Sequence, residues 1–309
     1  MIKRTLYFGN PAYLSLKNSQ LVLRLPEVEK SDLPEKFKQD AVRTMPIEDL
    51  GIVVIDNKQI TLTNGLIEKL LENNVAIIFC GSNHLPIGLS LPLYKNTTLT
   101  ERWHYQMEAS LPLKKQLWQQ TIQQKILNQA AVLKKEYNCV VKNMLIWSNE
   151  VRSGDPDNFE GRAAAYYWKN TFPDIDNFTR DDDDFFPNSL LNYGYAILRA
   201  IVARALVSSG LVVQLGIHHH NKYNPYCLAD DIMEPYRPYV DEVVIEIIKR
   251  DGYSEELTTQ HKKDLLSIPV IDVIIENKKR PLEVAVSTTT ASLFKCFSGE
   301  LRKISYPQL

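Results

Sequence analysis

The sequence predicts an α+β protein: a small N-terminal β domain over residues 1–95, a linker at 96–105, and a larger, mostly α-helical domain over 106–309. Three observations lead there. Short segments rich in Val, Ile, Leu, Tyr and Phe, several separated by turn residues, fill the first ninety or so positions. From Gln106 onward, long amphipathic periods replace them. A chain of 309 residues is also about two domains long on the usual scale.

Taken in order, RTLYFGN (4–10), YLSLKNSQLVLRL (13–25), DLGIVVID (49–56), QITLT (59–63) and VAIIFCG (75–81) read as strands. Turns at Lys17-Asn18 and Asn57-Lys58 separate several of them. Residues 63–73 carry Leu66, Leu70 and Leu71 at helical spacing, one short helix among strands. This half shows no clustered chemistry and reads as a scaffold or dimerisation domain. Beyond the linker, 113–137 places Leu117, Ile122, Ile126, Leu127 and Ala130 along one helical face. Asp155-Pro156 offers an N-cap and a first-turn proline for a helix running to Pro173. Its alanines at 163–165 leave room for a close neighbour, expected to be the next helix. That helix, 189–210, is strongly apolar but contains Asn192, Arg199 and Arg204, so it reads as a buried central helix capped by Asn188 and ended by Gly210. Residues 270–286 predict a small β-hairpin turning at 276–279.

Composition narrows the function. Lys and Arg number 36 against 37 Asp and Glu, a net charge of −1 that exerts no global pull on nucleic acid. Any DNA contact must come from local patches: Lys114/Lys115, Lys134/Lys135, Lys278-Lys279-Arg280 or Arg302/Lys303. Each of these, taken singly, reads equally as a solvated helix face or loop tip. The acidic run at 181–184 would repel phosphate and reads as an exposed loop. The N-terminus lacks the apolar core and cleavage site of a signal peptide. Cys80, Cys139, Cys227 and Cys296 are scattered without a CxxC pair, as reduced thiols of a cytoplasmic protein would be. No GxGxxG, Walker loop or GxSxG elbow occurs, which argues against nucleotide-cofactor enzymes and serine hydrolases.

The densest chemistry is GIHHHNKYNPYCLADDIMEP (216–235). Asp231 and Glu234 stand at i and i+3, one helical face, with histidines delivered from the loop before them. Pro235 restricts the backbone of Glu234, so the short helix kinks or ends there. Carboxylates with one imidazole suit Mg²⁺ or Mn²⁺ better than a closed zinc site. One turn cannot enclose an ion, so a further carboxylate must come from elsewhere. The alternative reading is solvated histidines followed by an ordinary helix-start signal, and spacing alone leaves both open.

Three separated motifs resemble the CRISPR-associated endonuclease/integrase family, the Cas-one proteins, most like those of type II systems. DPDNFEGRAAAYYW (155–168) resembles the family's glutamate-bearing helix, PNSLLNYGYAILRA (187–200) its central helix, and LGIHHHNKYNPYCLADDIMEPYRP (215–238) its histidine-plus-acid segment. The opening KRTLYFGN (3–10), PIEDLGIVVID (46–56) and the closing SGELRKISYP (298–307) are also similar, so the likeness spans nearly the whole chain. The resemblance implies Glu160, His219 and Glu234 as metal ligands, with Asp231 assisting or binding a second ion. His218 and His220 then adjoin the ligand, orienting it or touching DNA. It further implies Mg²⁺- or Mn²⁺-dependent strand transfer that inserts DNA fragments into a CRISPR array, with endonuclease activity from water in place of the 3′-hydroxyl. Implied partners are double-stranded DNA, a second copy of the chain paired through the β domain, and the small Cas-two subunit, away from any membrane. Two competing functions are a stand-alone repair nuclease with the same site and a non-catalytic DNA-binding module.

Overall fold

The computed structural model describes residues 3–93, 98–175, 178–180, 185–253 and 256–309. The acidic run at 181–184 lies outside the described residues. The chain divides into two compact units, Met1–Lys95 and Asn96–Leu309.

The first unit runs β1 (Arg4–Phe8), β2 (Ala12–Lys17), β3 (Gln20–Arg24), α1 (Pro26–Glu29), α2 (Glu35–Asp40), β4 (Arg43–Pro46), β5 (Leu50–Ile55), β6 (Ile60–Leu62), α3 (Asn64–Glu72), β7 (Ala76–Cys80) and β8 (Pro86–Ser90). One sheet has the order β1-β5-β7-β8, with β1, β5 and β7 parallel and β8 antiparallel at its edge. The other has the order β4-β3-β2-β6. Strand β5, LGIVVI, is apolar without alternation and buried at every position, as a parallel strand covered on both faces should be. Leu66 and Leu70 of α3 close a core with Leu14 and Leu21 of one sheet and Leu50, Val53 and Ile77 of the other. All the segments read as strands contain strands, while β4 and β8 are additional. Both carry a proline, which weakens a strand signal and is tolerated because both lie at sheet edges.

The second unit is mostly helical, and the α+β class predicted from the sequence is the one found. It contains α4 (Leu99–Glu108), α5 (Leu111–Tyr137), α6 (Lys142–Glu150), α7 (Phe159–Thr171), α8 (Asn188–Ser208), α9 (Cys227–Met233), α10 (Arg237–Asp251), α11 (Thr259–Leu265), β9 (Asp272–Ile275), β10 (Lys278–Pro281) and α12 (Leu282–Phe297). Helix α8 is long and apolar enough to cross a membrane by composition, but it is mostly buried here, packed by α9, α10, α11 and α12. Gly194 permits the α10 contact, since a Cβ there would lie 2.5 Å from Val240 Cγ1.

Several local expectations are corrected. The stretch read as linker carries α4, anchored by Gln106, whose amide donates to the carbonyls of Val212 and Leu215. Leu127 faces outward from α5, whereas Leu117, Ile122, Ile126 and Ala130 are buried. Helix α7 starts at Phe159 and is capped by Asn158; Asp155 still serves it, accepting from the backbone N–H groups of Phe159 and Glu160. It packs on α5 and α6 rather than along α8, because of its three alanines only Ala163 is buried and Ala165 is exposed. Asn188 does not cap α8; its side chain accepts from Arg180 and donates to the Thr179 carbonyl. The late hairpin is shorter than predicted, turning at Glu276 and Asn277, both left-handed, and LEVAV begins α12 instead of a strand.

Candidate active site

The site is assembled on α5, α7, the loop 216–220, α9 and the turn after it. Glu160 sits in the first turn of α7, its own backbone N–H held by Asp155 and that of the next residue, Gly161, by Asn158. Its carboxylate accepts from Lys125 Nζ of α5 at 2.7 Å. The same ammonium lies 2.6 Å from Glu234 Oε2, so two acids from separate motifs meet at one cation. As expected of Pro235, the α-helix ends just before it, at Met233: Glu234–Tyr236 is a 3₁₀ turn leading into α10, and it brings Arg237 back onto Glu234 at 2.8 Å.

Electrostatics hold Glu234 charged. Burial of Glu234 favours its neutral form, but Arg237 and then Lys125 outweigh that and bring its pKa down to about 2. Burial likewise disfavours the Lys125 ammonium, yet Glu234 and Glu160 more than compensate and hold its pKa above the ordinary lysine value. Arg237 also lies over the ring of Tyr195, 4.5 Å from its centroid.

Asp231 is fully buried and faces the loop. Its Oδ2 accepts from the backbone N–H groups of Ile217 at 2.7 Å and His218 at 3.0 Å. Its Oδ1 accepts from the His219 backbone at 3.1 Å and pairs with His219 Nδ1 at 2.5 Å. That bond raises the His219 pKa above the usual imidazole value, with Glu234 and Glu160 adding to it. With its Nδ1–H donated to Asp231, neutral His219 carries its lone pair on Nε2. Gly216 makes the loop possible, because a Cβ there would lie 2.4 Å from the His219 carbonyl and 2.7 Å from Asp231 Oδ2.

The neighbouring residues have separate tasks. Asp230 accepts from Arg199 Nε at 2.6 Å and Asn224 Nδ2 at 2.7 Å, tying the loop to α8. His218 stacks on Trp118 of α5, ring centroids 4.1 Å apart, and burial followed by the charge of His219 lowers its pKa. His220 is exposed. The buried Cys227 thiol is directed at the carbonyls of Asn221 and Asn224.

Glu160 and Glu234 therefore converge, with His219 within their field and Asp231 behind it. Among the described residues, no three His, Cys, Asp or Glu side chains stand together as a ready-made metal site. The donor chemistry nevertheless suits a divalent ion. Two carboxylates already share one positive charge, and an imidazole oriented by a carboxylate is the usual form of a histidine ligand.

The family model for "CRISPR associated protein Cas1" matches residues 6–267. The CRISPR-associated endonuclease Cas1 of Neisseria meningitidis serogroup C is 34% identical over 293 residues, covering 94% of this chain and 91% of that protein. The chain belongs to the Cas1 family. Among solved structures, a casposase bound to integration product superposes with a TM-score of 0.77 at 20% identity, covering 98% of this chain and 92% of that one. A chain of a Cas6-RT-Cas1–Cas2 complex superposes with a TM-score of 0.73 at 18% identity, covering 97% of this chain and 35% of that one. At such identities these two likenesses concern the fold, which the Cas1 chain shares over almost its whole length.

Lys125, Trp118, Arg237 and Gly216 were not singled out from the sequence. A signal for Lys125 exists in hindsight. Thr121, Lys125 and Asn128 recur at helical spacing on α5 and all are buried, so the helix buries a polar stripe as well as an apolar one.

Proposed function

We propose that this Cas1 chain is a CRISPR spacer-acquisition integrase: a metal-dependent DNA strand-transfer enzyme with endonuclease activity. The observation that carries the reading is the meeting of Glu160 and Glu234 at one ammonium, with His219 beside them oriented by Asp231. It is supported by the Neisseria relative, named an endonuclease, and by the casposase structure, which holds an integration product.

Glu160, Glu234 and Nε2 of His219 would hold Mg²⁺ or Mn²⁺. Such an ion supplies Lewis-acid activation of the attacking oxygen and stabilises charge on the phosphodiester. The chain's own contribution is to have the ligands ready. Glu234, with its pKa near 2, is ionised at any physiological pH. Asp231 acts through His219, fixing its tautomer and its loop. The reaction is a transesterification. The 3′-hydroxyl of an incoming DNA fragment attacks a phosphodiester at the leader–repeat boundary, then at the far repeat end. One P–O bond forms as another breaks, so no nucleotide is consumed. With water as nucleophile, the same site cuts.

Partners follow from the same reading: double-stranded DNA, a second copy paired through the N-terminal unit, and the small Cas2 subunit, in the cytoplasm. The Cas6-RT-Cas1–Cas2 complex supports the Cas2 partner. Among the basic patches, Lys135 is tied to Glu242 and Lys279 to Asp272. That leaves Lys114/Lys115 and Arg302/Lys303 as the better DNA contacts.

The test is a labelled 3′-hydroxyl DNA duplex incubated with a supercoiled repeat-bearing plasmid, Mn²⁺ or Mg²⁺ and the Cas2 subunit. Label should join the plasmid, and Glu160→Ala, His219→Ala and Glu234→Ala should abolish joining while retaining DNA binding. Shortened strands without joining would instead indicate a stand-alone nuclease. A variant that joins normally would remove that residue from the ligand set.

A further inference from the structure

Lys125 raises a question that the metal reading leaves open, because it stands where a cation ligated by Glu160 and Glu234 would be. Its ammonium is buried and contacts both carboxylates, at 2.7 Å and 2.6 Å. Two carboxylates this close repel unless a positive charge lies between them, and Lys125 supplies it. A divalent ion taking the same oxygens would compete with the ammonium for them and add its own repulsion to that which Lys125 already meets from Arg237.

The structure also offers the ammonium somewhere to go. Behind the acids lies a cavity of about 140 Å³ lined by Lys125, Gln129, Trp168, Arg180, Glu234 and Asp241, among others. Gln129 is one helical turn after Lys125 on α5, so the two side chains share a face. Its side chain is buried, and Oε1 has no hydrogen-bond partner. A buried acceptor left unmatched is costly, so this oxygen favours whatever donor can reach it.

We propose that Lys125 is a displaceable counter-cation, which holds Glu160 and Glu234 together until a divalent ion takes them and then withdraws across the cavity to Gln129 Oε1. The inference rests on the metal reading above. It makes Lys125 a positioning residue that competes with the metal: the metal-free site is kept assembled, at the expense of affinity. Gln129 lowers the cost of displacement by receiving the ammonium.

The experiment is calorimetric titration of the full-length protein with Mn²⁺, alongside thermal melting in chelator and in Mn²⁺. In chelator, Lys125→Met should melt below wild type, because its two acids have lost their shared cation. Its Mn²⁺ affinity should be at least about tenfold tighter, and its melting rise on adding Mn²⁺ larger than that of wild type. Gln129→Leu should do the reverse, binding Mn²⁺ several-fold more weakly without melting earlier in chelator. Equal or weaker Mn²⁺ binding by Lys125→Met overturns the competition. Equal or tighter binding by Gln129→Leu overturns the withdrawal, and that variant serves alone where Lys125→Met fails to fold. Absence of Mn²⁺ binding to wild type, matched by Glu160→Ala, overturns the metal reading itself, a result distinct from either.

Discussion

Replacing Asp231 with asparagine separates holding a ligand from being one. The carboxylate accepts from three backbone N–H groups and pairs with His219 Nδ1, with no exposure to water. An asparagine keeps one accepting oxygen and turns an NH₂ group toward the other donors. If the NH₂ faces Ile217 and His218, two buried N–H groups lose their acceptor, at about 3–6 kcal/mol for two bonds to a charged group. If it faces His219, only one backbone N–H is orphaned, because the imidazole can shift its proton from Nδ1 to Nε2 and accept instead. The second arrangement costs less, about 2–4 kcal/mol, and is the one expected. Its functional consequence is larger than its structural one, since protonated Nε2 can no longer donate to a metal. The fold should survive, the urea midpoint should drop, and Mn²⁺ affinity should fall by about 10- to 100-fold, as for other lost carboxylate partners of ligating histidines. Nitrogen-15 NMR of the histidine ring would report the tautomer directly. Wild-type stability and the Nδ1–H tautomer in the variant would refute the argument.

Three further expectations follow. Gly216→Ala places a methyl group 2.4 Å from the His219 carbonyl and 2.7 Å from Asp231 Oδ2, so it should cost about 1–3 kcal/mol and strand transfer together; wild-type melting and joining would mean the loop has slack. Asp241 is buried between the hydroxyls of Tyr167 and Tyr195, and burial pushes its pKa from 3.8 up to about 7 against the pull of those hydroxyls and Arg237. Between those values folding takes up a proton, so stability falls as pH rises, by about 4 kcal/mol in all, and Asp241→Asn should flatten that slope in urea midpoints. Glu234 acts in the opposite sense and mostly in another window, its contribution present above pH 4.5 and lost as pH falls through about 2, so the two meet only between pH 3.8 and 4.5. Replacing Lys114 and Lys115 with alanine should reduce the salt dependence of DNA binding by up to about two phosphate contacts; an unchanged slope would place both away from the duplex.

What the sequence by itself determined was whatever depends on neighbours along the chain. Period-two and unbroken apolar runs located β1, β2, β3, β5, β6 and β7, because a strand's burial is written in its own sequence pattern. The i, i+3 and i+4 spacing located α3 and α5 for the corresponding reason, and the long apolar run located α8. The motifs around Glu160, His219 and Glu234 were legible as well, through resemblance, since each is a short contiguous pattern. Strands β4 and β8 stayed hidden because proline weakens the local signal while a neighbouring strand still supplies the ladder. Only the tertiary structure decided which acid faces which partner. Asp230 and Asp231 are adjacent in sequence, yet one turns to Arg199 and Asn224 and the other to the histidine loop. Lys125 reads as one more polar residue of a glutamine-rich helix, on a stripe with Thr121 and Asn128 that the helix by itself gives no reason to bury. Its role arises only when α7 and the Glu234 turn pack against α5 and deliver two carboxylates to one ammonium. Chain-local order follows from chain-local pattern, whereas the charge balance of a buried site depends on groups that meet only after folding.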